Sequence, residues 1–288
     1  MIKRILIKLP LTKFKIFFAK ILYFVTKIFI RSDKQIVLRK GIKYELDLTE
    51  GIDLSIYLFG GFQKHVFNNK NIKLTKNPII FDIGANIGHM SLTYAKLFIN
   101  SNIYSFEPTD YAYEKFIKNL ELNQNIAKQI FPIKAFLSDK TEDISNIKAY
   151  SSWKIAKNSD NQIEIHKLHK GTSKTSSNTP SYKLDDFVEK NSISKIDFIK
   201  IDTDGHEIEV FKGAYNTIKK FKPYIVFEAG LYVLYEKNLD FNVYFEFLKD
   251  FKYTLINISN GHEINTLNYL HEIPEKSTID VLIIFNKD

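Results

Sequence analysis

The apolar residues of this chain gather into short unbroken runs, each closed by a polar cluster. Ile79, Ile80, Phe81 and Ile83 make the first run, which reads as a strand buried on both faces. Gly84 to Gly88 then form a tight turn, and Met90, Leu92 and residues 94–97 continue as a helix. Four more runs follow. They span residues 103–106, ending in Glu107-Pro108; 130–137, ending in Ser138-Asp139; 196–201, ending in Asp202-Thr203-Asp204-Gly205; and 224–227, ending in Glu228. Strands that alternate with helical stretches predict an α/β domain on a mostly parallel sheet. Ligands of such open sheets bind beyond the carboxyl ends of the strands, so the five polar clusters should converge on one crevice. A helix over 241–251 and two last strands, 253–258 and 279–285, bring the sheet to seven strands with helices on both faces.

Upstream of this domain, residues 36–48 read as a hairpin turning at Lys40-Gly41, and 52–66 as a helix leading inward. Residues 12–31, TKFKIFFAKILYFVTKIFIR, have a different pattern. Lys13, Lys20 and Lys27 are seven apart and stack along one helical face, with Arg31 one turn further on, while aromatic and aliphatic residues cover the rest. No uncharged run there is long enough to span a membrane, and the lysines interrupt any signal-peptide core. The chain thus divides into a basic amphipathic arm (1–35), a lead-in hairpin and helix (36–76) and a main domain (77–288). That domain carries an insertion at 146–181, where Trp153, His166, His169 and the polar run GTSKTSSNTP break the strand–helix pattern. The insertion is expected to be a lid over the acceptor site, with plain loop as the alternative.

Charge sharpens the division. The net charge is +8, but residues 1–40 hold eleven Lys or Arg against Asp33 alone, a net of +10 that leaves the remainder at −2. An extended nucleic-acid groove on the main domain is therefore not expected. The arm has two readings: an interfacial helix on an anionic leaflet, through residues 12–31, or a helix docked on the domain or on a second subunit. The first is favoured because so aromatic a stripe would otherwise be a large exposed patch. The absence of cysteine excludes disulfides and thiolate metal sites, and it is compatible with a cytoplasmic location.

The turn itself carries the chemistry. A helix N-terminus above a glycine turn suits a nucleotide-like ligand. A dinucleotide fingerprint needs G-x-G-x-x-G, however, and here only Gly84 and Gly88 are glycine. Asp82, just before the turn, better suits a ligand with positive charge or free hydroxyls than a pyrophosphate. Glu107, about twenty residues on, stands where such sheets place an acid against ribose hydroxyls.

In FDIGANIGHMS, SFEP at Ser105, NLELN at Asn119, LSD at Leu137, LDDF at Leu184, IDFIKIDTDGHEIEVFKGA at Ile196 and KPYIVFEAG at Lys222, the chain resembles the FkbM-type methyltransferases. The matching stretches cover residues 77–230 in the family's order and spacing. Two positions depart from it: Thr203-Asp204 replaces the usual Val-Glu, and Gln63 stands where the family usually has Glu. The resemblance implies a Rossmann-like class I fold ending in an antiparallel hairpin, and S-adenosylmethionine as cofactor. It implies that Asp82, Gly84, Ala85, Asn86 and Gly88 cradle the methionine end and ribose. Glu107 would take both ribose hydroxyls, and Ser138 and Asp139 the adenine edge. No purely structural role is expected for Glu107, since an acid there gains nothing for the core.

Methyl transfer to a hydroxyl needs an acceptor held in line and a group to take its proton. Asp202 is the first candidate for that group and Glu228 the second. His206 has a suitable ordinary pKa but stands at the start of the next helix, and His89 calls for the same caution. Glu207 and Glu209 are expected in the first helical turn, complementing its dipole. Asp202, Asp204 and Glu228 could serve magnesium, but nothing in the spacing requires a metal, and a metal-free site is expected. The expected function is thus O-methylation of a small-molecule or glycan hydroxyl. A sugar on a lipid-linked or surface-polysaccharide precursor would reconcile the arm with the family. Its rivals are a nicotinamide-dependent oxidoreductase and a non-catalytic binding protein on the same fold.

Overall fold

Alternation along each strand decides how the chain layers itself. The computed structural model describes residues 11–67, 69–144, 149–151, 172–174, 176 and 179–286. After helix α1 (Leu11–Phe29) comes a hairpin, β1 (Lys34–Arg39) and β2 (Ile42–Asp47), and then helix α2 (Gly51–Phe59). The main sheet comprises β3 (Ile79–Ile83), β4 (Asn102–Phe106), β5 (Ile130–Ile133), β6 (Phe198–Ile201), β7 (Tyr224–Gly230), β8 (Tyr253–Asn257), β9 (Glu263–Ile264) and β10 (Thr278–Phe285). Their order is β9-β8-β10-β7-β6-β3-β4-β5. The five strands from β7 to β5 are parallel, and β10, β8 and β9 close the sheet antiparallel. The fold is α/β, a mostly parallel sheet between two helical layers.

Phe81, Ile83, Ile199, Ile201, Ile225 and Phe227 point to one face of the sheet. That face is covered by α5 (Leu184–Lys190), α6 (Glu207–Gly213), α7 (Tyr215–Phe221) and α8 (Asn242–Leu248), with Phe211 packed edge-on to Phe227. Ile80, Ile103, Phe198 and Val226 point the other way, under α3 (His89–Leu97) and α4 (Asp110–Glu121). The lead-in belongs to this second layer: Tyr44, Leu46, Leu48, Leu54 and Ile56 are buried in the same cluster. A buried ion pair between Lys115 of α4 and Asp53 of α2 ties it in place. Burial pushes the Asp53 carboxyl up to about 6, against the opposing charge of Lys115.

Several sequence expectations change here. An eighth strand, β9, pairs with β8 at the sheet edge; two residues are too short a run to leave a pattern. The run 130–137 divides: Pro132 lies in the edge strand β5, and Phe136–Leu137 leave to pair with Thr179–Tyr182 in a small separate sheet. The helix expected over 52–66 stops at Phe59, where Gly60 adopts φ 65° and caps it, and a short helical turn resumes at Lys64–Phe67. Strand β7 runs past Phe227 to Gly230, which puts Glu228 within the strand, opposite Asp280. Most of the insertion, with Trp153, His166 and His169, lies outside the described residues.

Candidate functional site

The glycine turn is set by close approach within the chain itself. Gly84 (φ +77°) lies so near β6 that an added Cβ would stand 1.8 Å from the Asp202 carbonyl oxygen, and a Cβ on Gly88 (φ +79°) would meet the Phe116 ring at 2.0 Å. Asn86, between them, also takes positive φ, which Asn tolerates better than most residues. The turn's N–H groups are all engaged. Gly84 and Ala85 donate to the Phe106 carbonyl, Asn86 to Glu107 Oε2 at 2.9 Å, Ile87 to Asn86 Oδ1 and Gly88 to the Ala85 carbonyl. None of these donors is left over for a pyrophosphate. A Gly84→Ala substitution should therefore destabilise the protein by about 3 kcal/mol or more in thermal or urea denaturation. Exposed Gly261, at φ +76° with nothing near its missing Cβ, supplies the control: Gly261→Ala should cost only about 1–2 kcal/mol of backbone strain.

Beneath the turn lies a polar stripe on an otherwise apolar face. Ser105, Asp82 and Lys200 are register neighbours across β4, β3 and β6, and all three are buried. Asp82 Oδ2 accepts the Ser91 hydroxyl at 2.5 Å, and Ser91 meets Ser105 at 2.9 Å. Lys200 Nζ stands 3.5 Å from Asp82 Oδ1 and 3.5 Å from Asp202 Oδ2, and donates to the Gly84 carbonyl at 3.0 Å. Burial opposes the Lys200 charge, but Asp202 and Asp82 outweigh it and hold the ammonium above its ordinary value. The Asp82 carboxylate thus faces inward, to α3 and Lys200, and it shapes the turn rather than lining the crevice. Sequence reasoning missed Lys200 altogether. The signal was a lysine inside the run FIKI, since a strand buried on both faces admits a lysine only with charged partners.

Glu107 also serves the fold. Besides holding Asn86, it accepts the Thr109 N–H and hydroxyl through Oε1, at 3.0 and 2.6 Å. The expectation that it gains nothing structurally is corrected: it pins the turn after β3 to the turn after β4. Burial raises its carboxyl, with Thr109 and Asn86 pulling the other way. Three hydrogen bonds leave a carboxylate about one free acceptor position, which a ribose hydroxyl could use.

Asp202, at the end of β6, receives Gln63 Nε2 on Oδ2 at 2.9 Å, and its side chain is 23% exposed. Gln63 reaches it because the 61–67 segment crosses the strand ends. Phe62 N–H donates to His89 Nε2 at 3.0 Å, which leaves the ring proton on Nδ1, 2.9 Å from the Tyr44 hydroxyl. His65 pairs with Asp280 on β10. His89 is thus a buried pin for the lead-in segment, and Gln63 touches the leading catalytic candidate even without the family's charge at that position.

Glu207 staples the loop after β6, its Oε1 accepting Thr203 N–H, the Thr203 hydroxyl and Gly205 N–H. It is buried and holds that loop; Glu209 pairs with Lys237 at 2.8 Å. Asp204, at φ 51°, is exposed, with Asp202 and Glu207 among the charges that act on it. Glu228 accepts the Thr278 hydroxyl at 2.6 Å, and burial, then Asp202 and Asp204, raise its carboxyl. His206 caps α6, and burial, then the Lys237 charge, lower its imidazole pKa. Ser138 and Asp139 bond each other, Ser138 N–H donates to the Tyr182 carbonyl, and the Ser138 carbonyl abuts Gly213 of α6. The neighbouring Thr179 donates to the Pro108 carbonyl, which brings the small sheet over the end of β4.

Asp202 and Asp204 follow β6 and thus stand near Glu228 in the last part of β7, on which their charges act, while Glu107 acts on Asp204. Among the described residues no three acids or histidines are placed to hold a metal ion. A cleft of about 480 Å³, lined by Val188, Ile193, Thr217 and Phe221 among others, lies where the chain enters β6 and β7, away from these groups.

Residues 82–255 match the Methyltransferase FkbM domain. The chain belongs to the FkbM methyltransferase family. The family's cofactor is S-adenosylmethionine, and a crevice edged with carboxylates, whose glycine turn offers no spare N–H, fits a cationic sulfonium with free ribose hydroxyls. Among curated proteins, the hexuronic acid methyltransferase AglP of Haloferax volcanii is 26% identical over 152 residues. The match spans 52% of this chain and 56% of AglP, little more than half the relative's length. Among solved structures, methyltransferase FkbM from Methylobacillus flagellatus aligns at TM-score 0.46 and 16% identity, over 73% of this chain and 44% of that one. M. jannaschii TYW2 in complex with AdoMet aligns at TM-score 0.41 and 13% identity, over 88% and 85%.

Proposed function

We propose that this FkbM-family protein is an O-methyltransferase acting in the cytoplasm on a hydroxyl of a small molecule or glycan, with a lipid-linked or surface-polysaccharide sugar as the favoured acceptor. The observation that carries this reading is the carboxylate cluster at the ends of β6 and β7, with Asp202 partly open to solvent and held by Lys200 and Gln63. The similarity to AglP, a hexuronic acid methyltransferase, supports a sugar acceptor.

S-adenosylmethionine supplies a methyl group on positively charged sulfur. Glu107 would hold the ribose, and the turn from Gly84 to Gly88 the neighbouring part of the cofactor. Glu228 already accepts the Thr278 hydroxyl, and Asp204 sits in the loop that Glu207 staples, whereas Asp202 is held at the end of β6 by Lys200 and Gln63. Asp202 is left as the group to orient the acceptor hydroxyl and take its proton. The engaged N–H groups of the glycine turn count against the nicotinamide reading.

Calorimetric titration with S-adenosylmethionine and its demethylated product comes first, followed by transfer of labelled methyl to hexose and hexuronic acid glycans. Micromolar cofactor binding and a methylated product stable to mild alkali are expected, because an ether survives alkali and a methyl ester does not. Alkali-labile label would move the site of methylation from hydroxyl to carboxylate. Absence of cofactor binding would favour the non-catalytic reading.

A further inference from the structure

The two sides of α1 have opposite fates. Ala19, Tyr23 and Ile30 pack against the lead-in layer and Thr26 is buried, while the Tyr23 hydroxyl and Lys27 both hold Asp33. On the opposite side Phe17, Phe24, Ile28 and Phe29 are 58%, 71%, 69% and 82% exposed. The hairpin that follows adds Ile36 and Leu38, more than 60% exposed on the outward side of β1. Helical pitch places Lys20 and Lys27 along one flank, between the docked and the open side. Among the described residues no helix is long and apolar enough to cross a membrane.

We propose that the open side of α1, with the outward side of β1, is a docking surface for an anionic lipid bilayer, on which the helix lies flat. Six large apolar side chains this exposed exceed what scattered surface residues explain. The arm's charge selects the occupant. Residues 1–40 carry +10, so joining two copies through this side would set two such arms against each other, whereas an anionic leaflet neutralises them. The basic flank meets the headgroups while the phenylalanines enter the interface. Docking in this way leaves the main domain on the aqueous side, tethered through α2 and the 61–67 segment that reaches Asp202. This inference stands independently of the acceptor's identity.

The test is co-sedimentation of the full chain with vesicles of phosphatidylcholine alone and of phosphatidylcholine with phosphatidylglycerol. Binding should be stronger on the anionic vesicles by about tenfold or more, and should weaken with salt. It should be lost in a Phe24→Ser/Phe29→Ser variant that keeps its circular dichroism and its S-adenosylmethionine affinity. Lys20→Glu, at an exposed position, should weaken it severalfold even if the double variant fails to fold. No preference for anionic vesicles would overturn the proposal. So would a lipid-free dimer that Phe24→Ser/Phe29→Ser dissociates, because the occupant would then be a second copy of the chain.

Discussion

A Lys200→Met variant is expected to lose about 3–5 kcal/mol of folding stability in urea denaturation, and measurable cofactor binding with it. Lys200 is 4% exposed and stands between two carboxylates, so its removal leaves Asp82 buried without a counter-charge and Asp202 with Gln63 alone. It would also free the Gly84 carbonyl, so the glycine turn should lose its support from below. Because the ammonium's pKa is raised above its unfolded value, its stabilisation is fully present below the ordinary lysine range. It is lost only as pH rises beyond that range, so no titration near neutrality should mimic the variant. A Lys200→Met/Asp82→Asn pair should recover part of the loss, since it removes the orphaned charge together with its partner. Wild-type stability in Lys200→Met would show that the stripe is not held electrostatically.

The second large effect is expected at Glu107. Glu107→Gln keeps the size of the side chain but not its charge, and S-adenosylmethionine affinity by calorimetry should fall about ten- to hundredfold. That range follows from hydrogen bonds to a charged group, worth about 1.5–3 kcal/mol each. Glu107→Ala should add a loss of about 1–3 kcal/mol in stability, because it strands the Asn86 and Thr109 N–H groups in a buried turn. Glu107→Gln should also lose some stability, because its amide has one acceptor oxygen where the Asn86 and Thr109 N–H groups each use one, so the cofactor role is read from affinity lost at a temperature where each variant is fully folded. Unchanged affinity in Glu107→Gln would leave the residue as a structural pin and remove it from the cofactor site.

Much of the site was legible because strand-end residues are fixed by the strands they close. The run ending at Asp202 and the turn from Gly84 to Gly88 had to meet once Ile80 and Phe198 were placed on the same buried layer of adjacent parallel strands. What escaped was contact across long sequence separations. Gln63 meets Asp202 only because Gly60 ends α2 early and His89 holds the segment that follows. Glu228 was read as closing its strand, but antiparallel pairing with β10 extends β7 past it, and no local pattern announces a partner so far along the chain. Glu207 looked like an ordinary first-turn acid until the loop after β6 folded back onto it.

By itself the sequence determined the class of fold, the family and the concentration of positive charge in the arm. Strand periodicity, motif order and composition are local quantities, and folding does not alter them. Only the tertiary structure decided which side of α1 is covered, which carboxylates crowd together, and that Asp82, Lys200 and Ser105 form one buried stripe. Each of these depends on burial and on distances of a few ångströms between residues far apart in the chain, and in a low-dielectric interior those distances decide whether a charge is paired or stranded.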